Sequence, residues 1–273
     1  MNAADLLIGM RRGMPFSEYL KVRALSNSGM KLLAKSPLHY AAQFDPERPA
    51  VESSDALRRG SLLHTLVLEP HEISHRYRIK PEGMNFATKD GKAWRDATPA
   101  GIEIVSEAEH RAACVQARRL RALPEVAALL GSGEGEVSFF WLDEETGTHC
   151  KGRADWVFRS PAGVVLLDLK TTDDATPEAF GRSCARYGYH TQSAWYSNGW
   201  TQATGEPVLG FVFGAVESAW PHDAVPYMLD EQALTRARVQ IAALLELHSH
   251  CTATGHWPGI ASEITTLSLP AWA

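Results

Sequence analysis

The chain has 273 residues, about 1.8 times a ~150-residue domain, with 45% hydrophobic and 22% charged residues, 21 Gly and 15 Pro, which excludes a disordered, collagenous or coiled-coil chain. Twenty-seven Lys and Arg against 32 Asp and Glu leave a net charge of −5, so nothing global draws nucleic acid or anionic lipid, although residues 1–100 carry 15 basic against 11 acidic side chains and the remainder 12 against 21. No apolar run approaches the ~20 residues of a membrane span, and MNAADLLIGMRRGMPF lacks the apolar core and cleavage site of a signal peptide, so a cytoplasmic address away from membranes is expected.

From Ser26 to Phe44 the chain reads as short helices, with Ser26 or Ser28 as a cap and Pro37 as punctuation. Asp45 to Pro49 is a loop, and Ser54 to Glu69 is a helix whose apolar face is Leu57, Leu63, Leu66 and Val67, with His64 inside it and Pro70 as its stop. Residues 81–92 read as an exposed loop, and Ser106 to Glu109 is a capping box opening a helix to about Leu123. The period then changes to two: Glu136 to Leu142, His149 to Phe158 and Val164 to Lys170 are three strands joined by turns. Thr176 and Pro177 open a helix, His190 to Ala203 forms another ended by Gly205, Val208 to Val216 and Val225 to Leu229 return to strand, and Glu231 to Thr254 is the longest helix. The order points to an α/β fold, a central mixed sheet flanked by helices, as one domain over 1–273: a mainly helical N-terminal portion over 1–100, then the core and C-terminal helix.

The most informative residues end the second and third strands. In a strand, residues two apart share a face, so Asp168 and Lys170 project together while Leu167 and Leu169 point away. A carboxylate and an ammonium ending an apolar strand are costly unless paired or holding a metal, and Asp155, 13 residues earlier, reaches the same place if the two strands are hairpin neighbours. Two adjacent carboxylates repel unless a cation neutralises them, and hard oxygen donors suit Mg2+ or Mn2+, which would help hydrolyse a phosphodiester with Lys170 orienting or deprotonating the water. Gln192 and Tyr196 are four apart on one helix face, and His64 offers an imidazole; each alone reads more simply as packing, and the ordered set carries the weight.

That order, His64, Asp155, Asp168-Leu169-Lys170, then Gln192 and Tyr196, resembles the PD-(D/E)xK nuclease superfamily in its RecB-like branch. The flanking text is similar to the exonuclease VIII (RecE-like) prophage recombination exonucleases: Ser26-Asn27-Ser28 through Tyr40, Gly60 to His64, Thr146-Gly147 with Lys151 to Asp155, Trp257-Pro258-Gly259 and Leu269 to Trp272. The resemblance implies a restriction-endonuclease-like core with an N-terminal helical extension. Its implied activity is a Mg2+-dependent exodeoxyribonuclease, with Mn2+ as substitute, that degrades the 5′-terminated strand of linear double-stranded DNA and leaves 3′ overhangs for an annealing protein. It further implies His64, Asp155, Asp168 and the Leu169 carbonyl as metal ligands, Lys170 positioning the water, Gln192 and Tyr196 completing the site, and a homo-oligomeric ring. Many members have Glu where this chain has Asp168, and the chain lacks the cysteine pattern of the iron-sulfur relatives.

The remaining signals stay divided. Arg182 and Arg186, and likewise Arg58 and Arg59, read equally well as DNA-phosphate contacts or as solvated helix faces. Glu136 reads better as a surface strand acid than as a further acid near the metal, and Trp141, Trp156 and Trp195 fit core packing at least as well as base stacking. Four cysteines with no CxxC pair read as reduced, mostly buried thiols, and His248, His250, Cys251 and His256 lack zinc-ligand spacing. The rival functions are an endonuclease or repair nuclease of the same superfamily, and a catalytically silent DNA-end-binding module.

Overall fold

The computed structural model describes residues 6–49 and 55–269. The expected helix start at Ser54 and the Pro270 to Trp272 part of the tail lie outside the described residues. Strand β1 (Gly9–Arg11) and helices α1 (Phe16–Lys21), α2 (Asn27–Lys35) and α3 (Pro37–Ala41) precede the long α4 (Asp55–Leu68). Helix α5 (Ile73–Arg76), β2 (Tyr77–Lys80), α6 (Lys89–Asp96), β3 (Glu103–Ser106), α7 (Glu107–Arg121) and α8 (Pro124–Leu130) follow. Next come β4 (Glu134–Leu142), β5 (His149–Ser160), β6 (Gly163–Thr172), α9 (Pro177–Tyr187), α10 (Tyr189–Thr204), β7 (Val208–Glu217), β8 (Ala224–Tyr227) and α11 (Glu231–Thr254).

Local chemistry sets most of these boundaries. Ser26 caps α2 by accepting the Gly29 N–H, and Ser106 and Glu109 form the expected reciprocal box at α7. Thr176 stands at the N-cap of α9 without a side-chain capping bond; Pro177 at the first helical position carries that start. Residues 81–92 are not all loop: Thr88 caps α6, and Gly91 sits so close to Asn85 that a Cβ would fall 2.0 Å from its carbonyl oxygen. Strand β1, helix α1 and the parallel pair β2–β3 have no counterpart in the sequence-based elements. They are three to six residues long, too short to show a period, and the strands acquire their pairing from distant partners.

Among the described residues six strands form one sheet in the order β1-β4-β5-β6-β7-β8, parallel only between β6 and β7. Helix α10 lies on one face, where Trp141, Trp195, Trp200, Phe139 and Phe213 are buried. The other face is covered by α4, α7 and α8 through Leu63, Val67, Leu120 and Val126, against Leu167, Leu169 and Val212. Each large aromatic removes ~150–250 Å² from water, several kcal/mol at ~25 cal/mol/Å², so the three tryptophans dominate the first face. Three of the four cysteines are buried, and Trp156 donates to the Leu129 carbonyl at 2.9 Å. Among the described residues no helix is long and apolar enough to cross a membrane.

The sheet has one consequential irregularity. Strands β5 and β6 pair from Ser160 with Gly163 to Trp156 with Leu167, and there the ladder stops. Beyond that point the free β5 edge takes up Leu25, which accepts the Lys151 N–H and donates to the His149 carbonyl, both at 2.8 Å. The strands therefore part just where Asp155 and Asp168 would have faced each other.

Candidate metal centre

The split leaves the Leu169 N–H without a strand partner, and the Asp155 carboxylate accepts it instead at 3.2 Å. The flanking Leu167 and Leu169 side chains point into the α4/α7 layer while Asp168 and Lys170 project to the α10 side, the alternation expected of the strand. Helix α4 inserts Leu63 and Val67 into that layer, and so presents His64 to the opening from the side opposite α10. The His64 Nε2 lies 3.0 Å from the Leu169 carbonyl oxygen and its Nδ1 lies 3.4 Å from Asp155 Oδ2.

On the α10 side, Gln192 donates to Asp168 Oδ1 at 2.5 Å, and the Lys170 ammonium pairs with Oδ2. Gln192 and Asp168 are both buried. One helical turn on, Tyr196 packs edge-on against Phe139, and burial, then Tyr19 and the two aspartates, hold its phenol protonated well above its ordinary range. Burial works against the Lys170 charge, but Asp168 and then Asp155 outweigh it and hold its pKa above the ordinary value. Burial pushes Asp155 up to about 6, with His64 and Lys170 opposing and Asp168 and Glu136 reinforcing the shift.

The donor atoms of His64, Glu136 and Asp155 lie within 4.8 Å of one another, and Asp168 is not in that set. Glu136 is thus not the surface strand acid expected: its side chain is 28% exposed and pairs with Arg153 at 2.6 Å. Arg153 also donates to Ser138 Oγ and the Met14 carbonyl. Glu136 has φ +56°, a conformation that costs a non-glycine residue ~1–2 kcal/mol. The sequence held a signal for it. The six-residue connection pairs Leu142 with His149, and counting back along that hairpin, through Val137 with Ala154 and Gly135 with Trp156, sets Glu136 opposite Asp155.

The set fits a divalent cation. An imidazole, two carboxylates and the Leu169 carbonyl oxygen bring a nitrogen and hard oxygen donors to one place, the donor chemistry such a cation takes. A cavity of about 630 Å³ opens beside these residues, bordered by Ser61, His64, Arg76, Glu136, Arg153 and Asp155.

The proposed DNA contacts divide. Arg58 is turned into a carboxylate cluster, 3.3 Å from Asp55 and Glu103 and 3.8 Å from Glu109, so its charge is engaged within the protein. Arg59, Arg182 and Arg186 are exposed. His248 donates to or accepts from the Tyr40 hydroxyl at 3.0 Å, and Trp257 stacks on Tyr40, which ties the C-terminal segment to α3. Sequence reasoning passed over Tyr189 and Lys31: the Lys170 ammonium stands 5.0 Å from the Tyr189 ring centroid, and the Lys31 ammonium 5.9 Å from the same ring.

Comparison with known proteins agrees with this fold. No curated protein matches the sequence. A crystal structure from Eubacterium rectale, provisionally described as an exonuclease, shares the fold at TM-score 0.62 and 18% identity, over 90% of this chain and 88% of the other. SSO0001 (TM-score 0.28, 16% identity, 50% of this chain and 68% of the other) and VC1899 from Vibrio cholerae (0.22, 11%, 85% and 57%) are too distant to carry an argument. The model of the PDDEXK-like domain of unknown function (DUF3799) matches residues 26–270, and the chain, with its two aspartates and a lysine at the split of two strands, belongs to that family.

Proposed function

We propose that the protein is a divalent-metal-dependent exodeoxyribonuclease, similar to exonuclease VIII, that degrades the 5′-terminated strand of linear double-stranded DNA and leaves 3′ overhangs. The observation that carries the hydrolytic reading is the convergence at one strand split of His64, Asp155 and the Leu169 carbonyl, with Asp168 and Lys170 beside them. His64, Asp155, Asp168 and the Leu169 carbonyl would hold Mg2+, or Mn2+ in its place, with Glu136 near enough to His64 and Asp155 to join them. The cation, when bound, supplies charge neutralisation for the carboxylates and for the phosphate as negative charge grows on it.

The protein's own groups do the rest. Phosphodiester hydrolysis needs a water oxygen to bond to phosphorus as the bond to the 3′-oxygen breaks. Lys170, paired with Asp168, would orient the water and the phosphate by hydrogen bonds from its ammonium. Gln192 fixes the Asp168 carboxylate so that this pair cannot swing away. Polarity rests on the resemblance of the Ser26 to Tyr40 and Trp257 to Gly259 segments to the exonuclease VIII group, as do a ring of subunits around the duplex and delivery of 3′ tails to an annealing protein.

The test is linear duplex labelled at either end, incubated with Mg2+ or with EDTA. Early loss of the 5′ label as mononucleotides, EDTA sensitivity and resistance of closed circles are expected. Early loss of the 3′ label reverses the polarity, cutting of closed circles replaces exonuclease with endonuclease, and binding of ends with no cleavage under any divalent metal leaves a silent binding module.

A further inference from the structure

The junction between α9 and α10 carries a row of aromatic rings and cations that leads outward from Lys170. Lys170 stands over Tyr189, the Tyr189 ring is 5.8 Å from Tyr187, and the Arg186 guanidinium lies 5.5 Å from the Tyr187 centroid. Lys31 joins from α2. A Cβ on Gly188 would lie 3.5 Å from Lys31 Cε, so the lysine stem crosses the junction and brings its ammonium to Tyr189.

Neither Lys31 nor Arg186 has a carboxylate within ion-pair distance among the described residues, whereas Arg58, Arg76, Arg153 and Arg159 all do. A ring face attracts a cation without neutralising it, so both charges stay available to an outside anion. Lys31 and Lys170 stand against the same ring, at 5.9 and 5.0 Å from the Tyr189 centroid. Tyr187 is 49% exposed, open for a planar group to stack on. Bases within a duplex already stack on each other, so an exposed ring paired with unneutralised cations suits an unpaired strand.

We infer that Lys31, Arg186 and Tyr187 form a binding track for single-stranded DNA that ends at Lys170, with backbone phosphates at the two cations and a base on Tyr187. The track deepens the nuclease reading and rests on it for its purpose: it holds the strand being cut after separation from its complement.

The experiment measures binding of a fluorescein-labelled oligothymidine of about 12 nucleotides to the full chain in EDTA, over a range of salt. Tyr187→Ala is expected to weaken binding about tenfold, within the range measured for lost base stacking, while Tyr187→Phe retains it. Lys31→Ala is expected to make the dependence of log affinity on log salt shallower by about 0.7, the value for one lost phosphate contact on a single strand. Unchanged melting temperatures establish that both exposed-site variants fold. Wild-type affinity and slope in Tyr187→Ala and Lys31→Ala would overturn the track, as would an effect confined to a blunt duplex probe. Because cleavage is not the readout, a wild-type protein that cuts no DNA with any divalent metal refutes the nuclease reading separately.

Discussion

Asp168 and Lys170 form a pair in which each side chain makes the other tolerable. Both are largely withdrawn from water, at 4% and 17% side-chain exposure, so removing one strands the other. Asp168→Ala is therefore expected to reduce cleavage by about two to three orders of magnitude and also to lower stability by about 3 kcal/mol. The double change Asp168→Ala with Lys170→Met recovers most of the stability and none of the activity. Denaturant titrations of the three proteins separate the two effects; full activity in folded Asp168→Ala would remove the residue from the site. Asp155 adds a pH dependence of defined sign. Its folded-state pKa is raised to about 6 by burial, so between the ordinary carboxylate value and 6 the folded metal-free protein binds a proton that the unfolded chain does not. Stability of the metal-free protein attributable to this group rises as pH falls from above 6 toward 4, and Asp155→Asn abolishes that component. Because cation binding needs the ionised form, Mg2+ affinity should weaken over the same window, as calorimetric titration at pH 7.5 and 5.5 would register.

Helix α10 shows how an element is placed by packing against its own propensity. Gly199 stands in its interior, where Ala is intrinsically better by ~1 kcal/mol. A Cβ there would fall 2.4 Å from the Trp141 ring, which is 2% exposed and packed against Trp195 at 4.7 Å. The ring has nowhere to go, so Gly199→Ala is expected to destabilise the protein by about 1–3 kcal/mol despite the helix gain. The same displacement moves the turn bearing Gln192 and Tyr196, so nuclease activity should fall with melting temperature; a variant more stable than wild type in differential scanning calorimetry would contradict this. On the opposite side, Lys151 donates to the Tyr19 and Val22 carbonyls and sits over the Tyr19 ring, with burial lowering its pKa to about 8. That contact ties α1 to β5 near the split.

For the whole molecule, a net charge of −5 means that the proposed DNA substrate would be held by local features rather than by overall charge. The proposed ring supplies such a feature by gathering several N-terminal regions, each more basic than the rest of the chain, around one duplex. A homo-oligomer by light scattering at micromolar concentration, with long product runs per binding event, is the expected outcome. A monomer that releases its substrate after each cleavage would refute the ring.

The sequence by itself determined the helices and strands long enough to show a period, the mixed sheet between helices, and the ordered residues that mark the nuclease-like core. Alternation alone put Asp168 and Lys170 on one face because a strand has a period of two whatever surrounds it. Even the opposition of Glu136 and Asp155 was implicit in the hairpin register, although nothing in the sequence pairs the acid with Arg153 as the fold does. What only the tertiary structure decided was what meets at the split. His64 reaches Leu169 across 105 residues, Lys31 arrives from a helix more than a hundred residues before Lys170, and Arg58 turns to Glu103 and Glu109. Such meetings depend on where β5 stops pairing with β6 and on how α2 and α4 pack, which are sums of many small burial terms. Local sequence carries propensity and period, and neither specifies which distant chain segment fills a gap between two strands.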